Sequence, residues 1–160
     1  MTGEHEETEI ELELPEVEFV MLANRAEVLD QMLYMMGGGI DTFFVGDFTA
    51  PYHLWVAVSV LIPWSAAGQV QMLRLFLEDA DGRDVPPGYQ QEIGANRPPG
   101  VVEGQSFRHL SAYLLSWVFP GVGSYRLTAV AGYTRPKQVA FGIRRWEDRP
   151  PQTRFQYASR

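Results

Sequence analysis

The 160-residue chain contains no cysteine, which excludes disulfides, thiolate nucleophiles and cysteine-ligated zinc. It has one lysine, Lys137, against twelve arginines, and no basic residue of either kind before Arg25. No apolar run approaches the roughly 20 residues of a membrane span, and the acidic opening is the reverse of a secretory signal's basic start. The expectation is a cytoplasmic chain without a membrane partner. A net charge of −7 and a pI near 4.9 disfavour nucleic acid as a general partner. There is no Gly-x-Ser-x-Gly elbow, and Gly37-Gly38-Gly39 lacks the Lys-Ser/Thr of a P-loop and the spaced glycines of a dinucleotide fold.

What is present is enough apolar material for one folded domain: 46% hydrophobic and 12% aromatic residues, in a chain too short for two comfortable domains. Charge is unevenly placed. Residues 1–80 carry two basic and fourteen acidic side chains, whereas 81–160 carry eleven basic and six acidic. Eight glutamates fall within the first eighteen residues, and Arg144, Arg145, Arg149, Arg154 and Arg160 crowd the other end. This divides the chain into an acidic segment 1–15, a domain 16–145 and a basic, aromatic tail 146–160. Such tails are ordinarily solvated. The sharper reading is that Glu9, Glu11 and Glu13 of one chain meet Arg144, Arg145, Trp146 and Arg149 of its own or a neighbouring chain. The preference for arginine over lysine, with many Ala, Gly and Pro, suggests a bacterial genome rich in G and C.

The middle of the chain alternates with period two. Leu54, Val56, Val58, Val60 and Ile62 form one apolar row ending at Pro63, the pattern of a half-buried strand. Leu73, Leu75 and Leu77, then Tyr125, Leu127, Ala129 and Ala131, then Val139, Phe141 and Ile143 repeat it. Turn signals separate the runs at 79–82, 85–88, 97–100 and 119–123. The predicted fold is all-β: an Ig-like or C2-like antiparallel β-sandwich of about 7–9 strands. In the first run Ile10, Leu12 and Leu14 alternate with Glu9, Glu11 and Glu13; after Pro15 the phase flips to Val17 and Phe19. A one-residue slip turns every side chain over, so a bulge or break is expected at Pro15, on an edge strand. Alternatively, residues 9–14 are a strand donated to another subunit's sheet.

Two segments stay open. Residues 25–36 carry helical spacing at Leu29, Met32, Leu33 and Met36, with Asn24 and Glu27 as a capping box. Residues 107–119 fit a long strand or three helical turns.

Met21-Leu-Ala-Asn-Arg-Ala-Glu-Val28 followed by Leu33-Tyr-Met-Met-Gly-Gly-Gly-Ile-Asp41 resembles the opening of an uncharacterised bacterial family of small single-domain proteins. The likeness runs through Pro51, the strand at 54–62 and Leu75-Phe-Leu-Glu-Asp-Ala-Asp-Gly82 to the strand entry at Tyr125-Arg-Leu127, covering roughly residues 19–143. It implies an Ig-like or C2-like sandwich, and the family has no assigned activity to carry over. It also favours a hairpin over 25–36. Asn24 departs from the family's usual aspartate, and Asp30-Gln31 from its Gly-Lys turn.

Candidate chemistry is sparse. Asp79, Asp81 and Asp84 resemble half of a calcium loop, but Gly82 is misplaced for an EF-hand and Gln90 stands where its glutamate belongs; an Asp-Gly hairpin turn explains them as well. His5, His53 and His109 have no ligand spacing for zinc. Trp55, Trp64, Trp117, Trp146, Tyr52, Tyr89, Tyr113 and Tyr125 could line a sugar-binding face, although a sandwich this small needs most such rings as core. Arg144, Arg145, Trp146 and Arg149 with Arg154, Phe155 and Tyr157 mix cations with rings, which suits docking on an acidic protein surface better than nucleic acid in so acidic a chain. No cofactor is implied. The expected function is a non-catalytic interaction or assembly module, self-associating or bound to another protein. The alternative is a sandwich whose loops near 79–84 and 96–104 hold a metal ion or carbohydrate.

Overall fold

Ten strands account for the apolar rows read from the sequence. The computed structural model describes residues 13–94 and 96–151. In chain order the strands are β1 (Glu16–Ala23), β2 (Arg25–Leu29), β3 (Met32–Met36), β4 (Thr42–Val45), β5 (Tyr52–Ile62), β6 (Gln71–Asp79), β7 (Asp84–Ile93), β8 (Phe107–Trp117), β9 (Gly123–Ala131) and β10 (Lys137–Arg145). They form a three-stranded sheet β1-β5-β8, a five-stranded sheet β4-β10-β9-β6-β7, and the separate hairpin β2-β3. The fold is therefore the expected all-β sandwich. Its count rises to ten because the short β2, β3 and β4 join the longer core strands. The pairing is antiparallel throughout, save that β4 runs parallel to β10 from Thr42–Gly142 to Val45–Arg145.

The core lies between the two sheets. Leu54, Val56, Val58, Val60 and Ile62 of β5 are buried against Leu73, Leu75 and Leu77 of β6 and Leu127, Ala129 and Ala131 of β9. At one end Phe43, Tyr52, Phe119, Tyr125 and Phe141 pack with ring centroids 5.0–6.2 Å apart, mostly edge to face, as ring quadrupoles prefer.

β5 departs from the half-buried expectation, because Ala57 and Ser59 on its other face are also fully buried. The β2-β3 hairpin explains Ala57. Ala26 of β2 and Ala23 at the end of β1 pack with Ala57, with Phe19, Leu33, Met35, Trp55 and Ala112 around them. Four alanines at this contact let the hairpin backbone approach the outer face of the three-stranded sheet. Residues 25–36 are thus a hairpin and not a helix.

β1 begins at Glu16, directly after Pro15, and carries a bulge of its own at Glu18, where the β1-β5 register shifts between Val17 and Phe19. Val17, Val20 and Leu22 consequently face the core, whereas Phe19 faces the hairpin. The turn expected at Val85-Pro86-Pro87-Gly88 is placed differently. It lies inside β7 as a register shift opposite Leu75–Leu77, since β7 is an edge strand and an edge tolerates prolines that lack an N–H.

The turn of the β2-β3 hairpin holds Asp30 and Gln31 at φ 49° and 60°. A two-residue hairpin needs positive φ at both central positions, which Asp tolerates and Gln does so less readily. Gln31→Gly relieves that strain without removing a buried group. It is expected to stabilise the fold by about 0.5–1 kcal/mol and to raise the thermal midpoint by roughly 1–4 °C. A lowered midpoint in calorimetry would contradict this account of the turn.

Candidate interaction surface

A two-sheet sandwich leaves four edges, each a row of unpaired backbone groups that invites another strand. Three of them are blunted. β7 carries Pro86, Pro87 and the register shift. β4 is four residues long and abuts the 3-10 turn at Trp146–Asp148. β1 carries the Glu18 bulge, and its Leu22 carbonyl accepts the Gly39 N–H at 3.0 Å.

The fourth edge is β8. It runs eleven residues without proline or glycine and pairs with β5 in unbroken register from Trp117–Tyr52 to Phe107–Ile62. At one end the edge is closed. The Ser116 N–H donates to Tyr89 Oη at 3.0 Å, and that hydroxyl donates to the Ser116 carbonyl at 2.7 Å. The N–H and C=O of a strand residue point to the same side and alternate along the strand. The backbone groups of Leu114, Ala112, Leu110 and Arg108 therefore point away from β5 as well. Among the described residues nothing bonds those of Leu110, Ala112 and Leu114.

A groove of about 440 Å³ follows this edge, lined by Ala26–Val28 of β2, Gln91 of β7, Trp55 and His109–Tyr113 of β8. Its two faces differ chemically. Outward, β8 presents Leu110, Ala112 and the 52%-exposed Leu114, next to a hairpin whose Leu29, Met32, Tyr34 and Met36 are exposed. Inward, it presents His109, Ser111 and Tyr113. The Tyr113 hydroxyl is buried beside Ser111, and burial raises its pKa against the smaller opposing effect of Ser111. Burial also lowers the pKa of the His109 imidazole, which favours its neutral form.

The start of β8 is fixed by a polar cluster on the outer face of the sheet. Glu18 accepts two hydrogen bonds from Arg108, Nε and Nη2, both at 2.8 Å, and one from the buried Ser59 hydroxyl at 2.6 Å. The Arg108 hydrogen bonds hold the Glu18 carboxyl below the usual carboxylate range, outweighing the opposing effect of burial. This fork links β1, β5 and β8 across 90 residues of sequence.

The residues singled out from the sequence fall elsewhere. Glu9 and Glu11 lie outside the described residues, as do Arg154, Phe155 and Tyr157. Glu13 is exposed, and among the described residues no ion pair joins it to Arg144, Arg145 or Arg149. Arg144 and Arg145 end β10. Trp146 begins the 3-10 turn at 55% exposure, with Arg149 stacked 4.8 Å from its ring.

Asp79 accepts the backbone N–H groups of Asp81 and Arg83, each at 2.9 Å. Asp81 pairs with Arg83 at 2.8 Å, and Asp84 opens β7. Gly82 sits at φ 78°, so these residues build a tight β6-β7 hairpin. Among the described residues no three His, Asp or Glu side chains gather as a metal site. The loops at 79–84 and 96–104 lie at opposite ends of β7, roughly 25 Å apart, too far for one small ligand to span.

Of the aromatic set, Trp117 and Tyr125 are core, and Trp64 is stacked by Arg97 at 3.6 Å. His53 Nδ1 and Ser116 Oγ meet at 2.6 Å across β5 and β8. No carboxylate orients this imidazole among its hydrogen bonds, and the pair lies exposed on a strand face, short of the three-part geometry of a serine nucleophile.

No protein-family model and no curated protein matches the chain. Among the described residues no helix is long and apolar enough to cross a membrane.

The depressed Glu18 pKa sets an acid dependence. Its folded-state value lies below the ordinary 4.5, so its contribution is complete above about pH 4.5 and fades as pH falls through the folded value. Glu18→Gln is expected to lose roughly 1 kcal/mol at pH 7 and to fall less than the parent between pH 7 and pH 3. Urea midpoints at the two pH values measure this. Equal falls in parent and variant would remove the fork from the account of acid stability.

Proposed function

We propose that this protein is a non-catalytic interaction or assembly module of a bacterial cytoplasm, and that it works by strand addition along β8. One observation carries the reading: of the four sheet edges only β8 runs long without proline, glycine or a register shift, and its outward backbone is closed only at Ser116. Added strands gain affinity from main-chain hydrogen bonds and specificity from pockets for alternate side chains. The edge offers both, with outward-pointing amides at Leu110, Ala112 and Leu114 and a groove between β2 and β7. The hairpin that forms one wall of the groove also exposes Leu29, Met32, Tyr34 and Met36 on its face opposite Ala26, Leu33 and Met35, a further apolar surface of the kind found at interfaces. The family resemblance at 21–41 fits this reading, since those residues build the hairpin that forms one wall of the groove.

Lysine is the residue with which natural edges repel further strands, and the only lysine of this chain is in β10. The double substitution Leu110→Lys with Leu114→Lys places two charges on the solvent-facing side of β8 and leaves its pairing with β5 in place. Native mass spectrometry of protein purified from its own cells is expected to show a bound second subunit, either another 18.1 kDa copy or a different protein. The double variant should be bare yet retain the parent's circular dichroism spectrum. An identical mass for both proteins would overturn the reading.

A further inference from the structure

The edge of β8 is amphipathic in cross-section: Leu110, Ala112 and Leu114 on the outer side, with His109, Ser111, Tyr113 and Gln91 on the inner side. A strand that fits it must carry apolar side chains on one face and hydrogen-bond acceptors on the other. The chain contains such a segment. Ile10, Leu12 and Leu14 alternate with Glu9, Glu11 and Glu13, and no other run of the sequence alternates carboxylates with aliphatic residues in this way.

We propose that residues 9–14 of a second copy of this chain lie along β8 as an added strand, an assignment of partner that rests on the interaction reading above. The isoleucine and leucines extend the outer apolar face beside Leu110, Ala112 and Leu114. The glutamates turn to the mouth of the sandwich, where the exposed Gln91 amide supplies a donor, while Ser111 and the Tyr113 hydroxyl lie deeper, buried. The Glu27 carboxylate, which also lines the groove, is paired with Arg25 at 3.7 Å. The lengths agree, since the outward backbone groups run from Arg108 to Leu114 and the segment is six residues long. Where the described chain begins, Leu14 is 63% exposed, with its side chain available to another molecule.

The donor must come from another copy. Glu16 pairs with Leu61, and Leu61 with Arg108, so β1 stands two strands from β8. The added position lies one strand further, roughly 14 Å from β1. Crossing that distance uses at least about four residues at ~3.3 Å each, which consumes the residues just before Pro15. Residues 9–14 therefore cannot lie along β8 of their own chain.

The test compares the full chain with a variant lacking residues 1–14. Sedimentation reads association, and NMR reads hydrogen exchange at the amides of Leu110, Ala112 and Leu114. The full chain should self-associate with those three amides protected. The deletion should weaken association by about a hundredfold and expose the amides. A synthetic peptide spanning Thr8–Pro15 should restore their protection in the deletion variant, and the same peptide with Leu12→Asp should not. The full chain carrying Leu12→Asp gives the same readout should the deletion fold poorly. Undiminished association after deletion would overturn the donated strand and leave the interaction reading standing, with β8 paired to β8 of a second copy. A full chain that stays monomeric with exposed amides would also overturn the donated strand; the interaction reading would then depend on a different protein bound to the edge.

Discussion

β5 is buried on both faces through its middle, and the rest of the molecule follows from covering it. One face needs only the opposite sheet, whose apolar rows supply the core. The other face carries Ala57 and Ser59, and each requires its own cover. For Ala57 the cover is a hairpin that can approach only because Ala23, Ala26 and Ala112 leave room for it. For Ser59 the cover must accept a hydrogen bond, since a buried hydroxyl without a partner costs on the order of 1–3 kcal/mol. Glu18 fills that role from a bulge in β1, and a partly buried carboxylate is in turn stabilised by a cation. Arg108, at the start of β8, provides one. The burial of a central strand thus dictates a bulge in one neighbour and the first residues of the other.

The same constraint explains why β8 is the open edge. The hairpin that covers β5 leaves β1 at Asn24 and folds across the outer face, so its strands pair with each other and with no strand of the main sheet. It packs beside β8 without bonding to it. On the other side Tyr89 crosses from β7 and closes only the Ser116 end. Between these two contacts the backbone of β8 faces a groove. An added strand would satisfy the amides there, and at lower conformational cost if it arrived already extended.

The apolar rows at 54–62, 73–77, 125–131 and 139–143 were legible in the sequence because period two is a local property, and they placed the core strands correctly. The Asp79–Gly82 hairpin was legible for the same reason. Residues 25–36 satisfied a helical spacing and a capping pattern, yet form a hairpin. Met32, Leu33 and Met36 are read by strand-face contacts, and Asp30-Gln31 makes the turn without glycine. Non-local relations were out of reach. The parallel β4-β10 pair, the Glu18–Arg108 fork and the unpaired side of β8 depend on strand order, which no single segment encodes. One signal was nevertheless present: Ala57 and Ser59, small residues on the supposedly exposed face of the most apolar strand, mark a second layer above it. The absence of proline, glycine and lysine from 107–117 is shared by the interior strands β5 and β6, so it could not by itself identify the open edge.

An assembly built on one donor strand and one acceptor edge must also avoid pairing donor with donor. Three glutamates on one face of residues 9–14 set like charges opposite one another in any pairing of two such segments, which is unfavourable. In the proposed arrangement they would lie beside Ser111, Tyr113 and Gln91, with the Arg25-paired Glu27 the one other carboxylate lining the groove. The preference weakens with salt only to the extent that the groove stays wet, because screening acts over about 8 Å in physiological solution and much less on groups buried by an added strand. The uneven charge of the sequence therefore acquires a structural meaning that differs from the simple attraction of an acidic head to a basic tail. In the proposed assembly the glutamates would select against their own kind, and hydrogen bonding along β8 would select their partner.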